Sequence, residues 1–393
     1  MGLRLYNSLG KKIEEFRSIK DNEVSLYVCG ITPDAAIHLG HAFTYLTFDV
    51  LIRYLRFLGY RVNYLQNITD IDDDILVRSK KAGYDWKEFG DKWVGVFEKN
   101  MDALGWIKPD PYVRATGAIP TIIKIVEGLV DKGFCYNVDG TVYFDVEKFS
   151  KYGELSGLSE KEMINLSAER GANPNDPAKR NPLDFIVWQK AKENEPTWDS
   201  PWGPGRPGWH IECSSMIYEN LGSQIDVHGG GFDLIYPHHE SEIAQSESYT
   251  GKSPFSRFFM HVVYLKFGGE KMSKSLGNLI MVEKLLEDYT ANAIRWLLLS
   301  HHYRTSWEYE DNFMKSAQDA ADLIDRALSM CEKKDSEINL PQEFVDAMNN
   351  DLDTPKALEM IALLANKIIE DKASREEQIE FISSLKLLGF SLN

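Results

Sequence analysis

His38 and His41 in "HLGH" stand one helical turn apart, so on a helix they share a face, and Gly40 between them lets a ligand approach the backbone. Two imidazoles at a helix start can hold a triphosphate and stabilise the charge that develops as pyrophosphate leaves. The same pair in isolation also reads as capping or core histidines. A second basic element lies far along the chain. "GGEKMSKSLGN", residues 268–278, combines flanking glycines with Lys271 and Lys274 in a loop able to close on phosphates, although alone it would read as a solvated turn. Cysteine occurs at positions 29, 135, 213 and 331, too few and too scattered for a disulfide framework, which leaves reduced thiols or metal ligands. His238 and Glu242 are four apart and would share a face of the helix expected over "HHESEIAQSE", while Cys29 ends a strand. Rival ligands are His239, which is adjacent, and the pair His210 and Cys213, three apart on another expected helix. With no Cys-x-x-Cys pair, spacing alone leaves scattered structural cysteines ahead of a metal site.

These residues need a frame. Residues 24–30, "VSLYVCG", read as a buried strand; from about His38 the apolar Phe43, Leu46, Val50, Leu51, Tyr54 and Leu55 recur at helical spacing; "RVNYLQNI", 61–68, restores a strand. Strand, helix, strand is the signature of a parallel sheet in an α/β fold, where ligands sit beyond the carboxyl ends of the strands beside helix amino termini. The HLGH stretch lies there. A chain of 393 residues is too long for one ordinary core, so two or three domains are expected, and 43% apolar residues suffice to fill them. The amino terminus shows no apolar signal region and no run of 18 apolar residues occurs, which gives the expectation of a cytoplasmic protein with no membrane partner. The formal charge of −16 excludes a protein that coats nucleic acid through a generally basic surface, but leaves room for a local basic groove.

In this order and at this separation, HLGH and KMSKS resemble the two signatures of class I aminoacyl-tRNA synthetases. "YVCGIT", "QNITDIDD", "GRPGWHIECSSM", "DVHGGGFDLIYPHHESEIAQSE" and "EKMSKSLGN" are similar to blocks of cysteinyl-tRNA synthetase, and the resemblance spans nearly the whole chain. It implies a Rossmann-like parallel-sheet catalytic domain whose first half, 1–109, carries HLGH. An acceptor-side insertion follows at 110–200, then a second half at 201–283 with the zinc ligands and the KMSKS loop, then a helical bundle at 284–393. It implies one Zn2+ per chain on Cys29, Cys213, His238 and Glu242, binding the sulfur of L-cysteine. Zinc prefers thiolate to hydroxyl, so direct contact can reject serine with no editing domain. Gly30, Thr69 and Trp209 would wall the cysteine pocket. His38, His41, Gly229, Gly230, Gly231 and Lys274 would contact ATP, which enters with Mg2+, and His38, His41, Lys271 and Lys274 would serve the chemistry. The implied reaction forms cysteinyl-adenylate and pyrophosphate, then transfers cysteine to the terminal ribose of tRNA-Cys. In "DIDDD", 70–74, an acidic cluster could suggest a cation, but Asp70 as a helix cap is the simpler reading. Cys135 and Cys331 read as ordinary apolar-site cysteines.

Two departures stand out. The chain stops at "LLGFSLN", where the usual cysteinyl-tRNA synthetase continues into an anticodon-binding domain, which implies a compact form that recognises the acceptor arm. "CGITPDAAIHLGHAFTYLTFDV", "DPYVRATGAIP", "AERGANPNDPAKRNPLD" and "HHYRTSWEYE" look closer to mycothiol ligase, which shares the catalytic core and joins cysteine to the amine of glucosaminyl-inositol. Against that alternative, "DVHGGG" and "HHESEIAQSE" are synthetase-like, Glu242 is a zinc-binding type, and lysine outnumbers arginine. A binding protein without catalysis is disfavoured because HLGH, KMSKS and all four ligand positions are intact. The balance expects tRNA-Cys as acceptor.

Overall fold

A short antiparallel hairpin, β1 (Arg4–Asn7) and β2 (Lys12–Glu15), precedes the first long strand, β3 (Glu23–Ile31), in the computed structural model, which describes residues 2–272, 277–332 and 338–392. Helix α1 (Leu39–Phe57) and strand β4 (Arg61–Ile68) complete the first crossover, with β3 and β4 parallel. The expected strand, helix, strand unit is therefore present at nearly the expected limits. Helices α2 (Asp73–Ala82) and α3 (Trp86–Ala103) lead to β5 (Tyr112–Arg114), which pairs parallel with β4. After α4 (Ile119–Asp131) comes an antiparallel sheet of β6 (Cys135–Val138), β7 (Thr141–Phe144), β8 (Phe185–Lys190) and β9 (Gly205–Pro207), with α5 (Glu160–Glu169) between β7 and β8. Helix α6 (Trp209–Asn220), strand β10 (Ile225–Gly231), helix α7 (Glu240–Thr250) and strand β11 (Ser256–Val262) return to the central sheet, whose order is β11-β10-β3-β4-β5.

Two strand pairings lie across the limits of 110 and 200 that the sequence reading set for the insertion. Tyr112–Arg114 belongs to the central sheet and Gly205–Pro207 to the insertion sheet, because hydrogen-bond ladders run past both limits. Further on, β12 (Leu265–Phe267) and β13 (Glu270–Lys271) form a hairpin, followed by helices α8 (Val282–Asp288) and α9 (Ala291–Leu299). Strand β14 (Trp307–Glu308) then pairs parallel with β12, so the expected helical region contributes one strand before α10 (Asp311–Met330), α11 (Gln342–Asn349), α12 (Thr354–Ile369) and α13 (Arg375–Leu387).

The strand period of two assigns side chains to two cores. Leu26 and Val28 of β3 point into the one shared with α1 and the C-terminal helices, whereas Tyr27 and Cys29 point into the one shared with α4, α6 and the insertion sheet. Strand β3 is buried without interruption from Leu26 to Cys29, as expected for a parallel strand covered on both faces. Helix α1 is buried around most of its circumference, sealed between sheet and bundle. At its centre Asp49 pairs with Arg295 of α9, both fully buried, while Ile107 N–H donates to the same carboxylate at 2.9 Å and Arg295 also donates to Leu104 O at 2.7 Å.

Helix α2 starts later than the sequence reading placed it. Asp72 is the cap, accepting from Asp74 N–H at 2.8 Å, because the buried Ile71 takes the turn before it. Asp70 instead accepts from Thr116 N–H at 2.9 Å and from the Thr116 hydroxyl at 2.7 Å, pinning the start of the segment before α4. Among the described residues no helix is long and apolar enough to cross a membrane.

Candidate active site and metal centre

The chain leaves β3 toward β4 on one side and reaches β10 on the other, so β3 and β10 flank the switch point of the sheet, where α/β proteins bind ligands. A cavity of about 550 Å³ opens at their carboxyl ends. Its shape begins with an irregularity in β3. The pairing with β4 shifts between Val28 and Ile31, and a Cβ on Gly30 would lie 1.6 Å from the Asn67 carbonyl oxygen. Only glycine fits that approach. The Asn67 side chain accepts from Gly30 N–H at 2.7 Å and from the Tyr27 hydroxyl at 2.8 Å, and its amide donates to the Thr69 hydroxyl at 3.1 Å. Gly30, Thr69 and Trp209, which the sequence reading assigns to a cysteine pocket, all line the cavity, and Asn67, which it did not name, lines it too.

On the rim, His38 is the N-cap of α1 and His41 its third residue. His38 Nδ1 accepts from Gly40 N–H at 3.1 Å and His41 Nδ1 accepts from His38 N–H at 3.4 Å, a reciprocal capping box that stacks the rings with centroids 3.9 Å apart. Capping and cavity lining are therefore done by the same two rings. Backbone pairing fixes this corner to the chain beyond the basic loop, since Leu39 N–H donates to Ile280 O at 2.8 Å and Val282 N–H to Ile37 O at 3.2 Å. Lys271, in β13, reaches Asp233 at 3.0 Å and lies 4.2 Å from the centre of the Tyr264 ring. Arg170, from the end of α5, approaches the same carboxylate at 3.5 Å. Burial pushes the Asp233 carboxyl up, but the Lys271 ammonium and then the Arg170 guanidinium outweigh it and hold the group below its ordinary range. Lys274 lies outside the described residues.

Of the three glycines expected against the nucleotide, Gly231 lines the cavity while Gly229 and Gly230 do not. A Cβ on Gly229 would meet the Phe48 ring at 2.3 Å and one on Gly230 the His239 ring at 3.0 Å, so packing within the protein explains both.

The floor brings together Cys29 at the end of β3, Cys213 on α6, His238 in the turn before α7 and Glu242 in its first turn. One donor atom from each lies within 4.8 Å of the other three, and all four residues are buried. His238 Nε2 is 3.1 Å from Glu242 Oε1 and 3.3 Å from Cys213 Sγ, and Cys29 Sγ is 3.8 Å from Glu242 Oε1. The other nitrogen of His238 faces His210 Nδ1 at 2.9 Å, and the ring stacks on Trp209. Burial pushes the Cys29 thiol and the Glu242 carboxyl well up, and burial followed by the neighbouring histidines pushes His238 well down. Two cysteines, a histidine and a glutamate are a donor set of zinc type.

A second grouping shares two of these residues: Cys29, His228, His239 and Glu242. His239 Nε2 is 3.2 Å from Cys29 Sγ and His228 Nε2 is 3.0 Å from Glu242 Oε2. The first set opens to substrate, since Cys29, Cys213 and His238 line the cavity and neither His228 nor His239 does. The rival His239 thus stands beside the floor, and the rival His210 orients His238. The sequence reading did not name His228 among the candidate ligands. Its register opposite Tyr27 puts it on the Cys29 side of the sheet, a signal that exists only once β3 and β10 are known to pair. Cys135 and Cys331 are buried among apolar side chains, and neither belongs to the two groupings.

The family model described as the catalytic domain of class I (C) tRNA synthetases matches residues 15–319. A cysteine-tRNA ligase of Thermodesulfovibrio yellowstonii is 42% identical, the match covering 100% of this chain and 85% of that protein. One of Dehalococcoides mccartyi is 43% identical, covering 99% and 87%. Among solved structures, Mycobacterium tuberculosis methionyl-tRNA synthetase in complex with methionyl-adenylate superposes with a TM-score of 0.62 at 16% identity, over 93% of this chain and 89% of that one, a likeness of fold.

Proposed function

The chain belongs to the class I tRNA synthetases of the cysteine type, and from that premise we propose that it activates L-cysteine with ATP and transfers the cysteinyl group to tRNA-Cys. It is an ATP-dependent ligase. The observation that carries the substrate reading is the buried Cys29, Cys213, His238 and Glu242 floor beneath a rim formed by His38, His41 and Lys271.

Zinc on the four floor residues would supply a Lewis-acid contact for the sulfur of cysteine, which serine's hydroxyl satisfies poorly. Trp209, stacked on His238, covers that contact, while Thr69 and the Gly30 backbone, both held by Asn67, bound the rest of the amino acid. The substrate carboxylate then faces the rim. It attacks the α-phosphorus of ATP, which enters with Mg2+, and the bond to the pyrophosphate oxygen breaks in line. His38 and His41 stabilise the charge on the phosphates, Lys271 exchanges Asp233 for phosphate oxygen, and Lys274, of the same KMSKS motif, adds a second ammonium. Gly231 leaves room for the nucleoside. In the second step the terminal ribose hydroxyl of tRNA attacks the adenylate carbonyl and AMP leaves. The insertion sheet and α5 are the surface for the acceptor arm, and the cytoplasm is the working compartment.

The test is to offer ATP and labelled cysteine with tRNA-Cys and glucosaminyl-inositol in parallel. Labelled tRNA is expected. Coupling to the amino sugar with no charging of tRNA-Cys would contradict the acceptor while sparing the adenylation chemistry.

A further inference from the structure

Behind the floor runs a line of hydrogen bonds that the two reaction steps do not use. Ser8 Oγ, in the turn between β1 and β2, is 2.7 Å from His261 Nδ1 on β11; His261 Nε2 is 2.8 Å from His239 Nδ1; His239 Nε2 is 3.2 Å from Cys29 Sγ. Both rings are buried, at 4% and 0% exposure, and both nitrogens of each are engaged, so placing one proton places the others. The hairpin is tied to β11 beside this line. Ser8 N–H donates to Phe259 O at 2.8 Å and the Asn7 side chain accepts from Phe259 N–H at 3.1 Å, which sets Ser8 alongside β11. Gly230 makes the room, since a Cβ there would press on the His239 ring.

The line can run in two senses. In one, the Ser8 hydroxyl donates to His261, His261 Nε2–H donates to His239, and His239 Nε2–H donates to the sulfur of Cys29. In the other every proton is reversed and a bare His239 nitrogen faces the sulfur, where it accepts from a Cys29 S–H or shares a cation with it; zinc on the floor removes the first option, because a ligating cysteine is a thiolate. Access decides. His239 does not line the cavity, whereas Cys213 and His238 do, so a metal that meets substrate sits on their side of Cys29 and leaves the His239 side to a hydrogen bond. A buried thiolate gains from such a donor.

Resting on the metal site proposed above, we infer that Ser8, His261 and His239 are positioning residues that deliver one N–H to the Cys29 thiolate and thereby set how tightly the floor holds its zinc. Loss of an outer partner of this kind typically costs about 10–100-fold in metal affinity. The experiment uses the full chain loaded with Zn2+ for chelator competition and with Co2+ for absorption spectra. Wild type is expected to hold one metal with a two-thiolate charge-transfer band. His239→Ala should keep one metal, bind zinc about 10–100-fold more weakly, and move that band to lower energy, because an unbonded thiolate gives up its electron more easily. Ser8→Ala, remote from every ligand, should move both readings the same way by less, and His239→Gln, which retains an amide donor, should recover part of the affinity. Unchanged affinity and band in both alanine variants would overturn the relay alone. A His239→Ala protein whose cobalt ligand field shows a lost nitrogen would also overturn it, by making His239 a ligand. Wild type without metal would remove the relay together with the site it serves.

Discussion

HLGH offered two readings at the level of single residues, helix cap or phosphate contact, and the geometry unites them: the Nδ1 atoms build the cap, and the cap aims both rings at the cavity. The two contributions are separable because glutamine at the third helical position also completes a capping box. His41→Gln is expected to melt within a few degrees of wild type while cysteine-dependent pyrophosphate exchange falls about 10²-fold, the usual effect of removing a donor aimed at developing charge. Near-normal exchange would show that the imidazole is there for the helix alone. Residues in contiguous blocks could be named from the chain, among them Cys29, His38, His41, Cys213, His238 and Glu242. Asn67, His228, His261 and Ser8 could not, because what makes them matter is a partner 14 to 253 positions away that only the fold brings near.

Elements with a strong period were legible to within a residue or two, as β3, α1 and β4 show. Strands of two or three residues were not, since β13 and β14 are too short to carry a period and exist only through pairing with β12. The start of α2 was missed by two residues because "DIDDD" supplies several acidic caps and burial of Ile71 chooses among them. That choice has a pH consequence. Burial, with the neighbouring carboxylates adding to it, pushes Asp72 up to about 6 despite the N–H it caps. A folded-state value above the unfolded one, about 3.9, favours the protonated form. The stabilisation is therefore complete below about pH 4 and is lost as pH rises through about 6. Asp72→Asn keeps a capping oxygen and cannot titrate, so its denaturation midpoint should be flatter than wild type between about pH 4 and 7 and should equal or exceed it at pH 8. A variant that tracks wild type across that window would refute the shift.

At the scale of the whole molecule, segments distant in sequence converge on one cavity: the end of β3, the start of α1, helix α6, the turn before α7 and the β12–β13 hairpin. Family resemblance could announce that convergence; composition and period could not. The C-terminal helices take part through Asp49 and Arg295, which lock α1 to the bundle. Asp49→Ala would strand a buried guanidinium, and a loss of about 3–5 kcal/mol in chemical denaturation is expected. A loss under about 1 kcal/mol would mean that the bundle does not depend on the pair. The account as a whole rests on the floor reading the substrate's sulfur through a metal. The most direct measurement is pyrophosphate exchange with cysteine and with serine, before and after chelation, with metal content followed in the same samples. The expected result is exchange with cysteine at least about 10³-fold above serine in protein holding one zinc, a selectivity beyond what apolar packing supplies, and its loss in step with the metal. Full cysteine exchange in metal-free protein, or serine accepted as readily as cysteine, would contradict it.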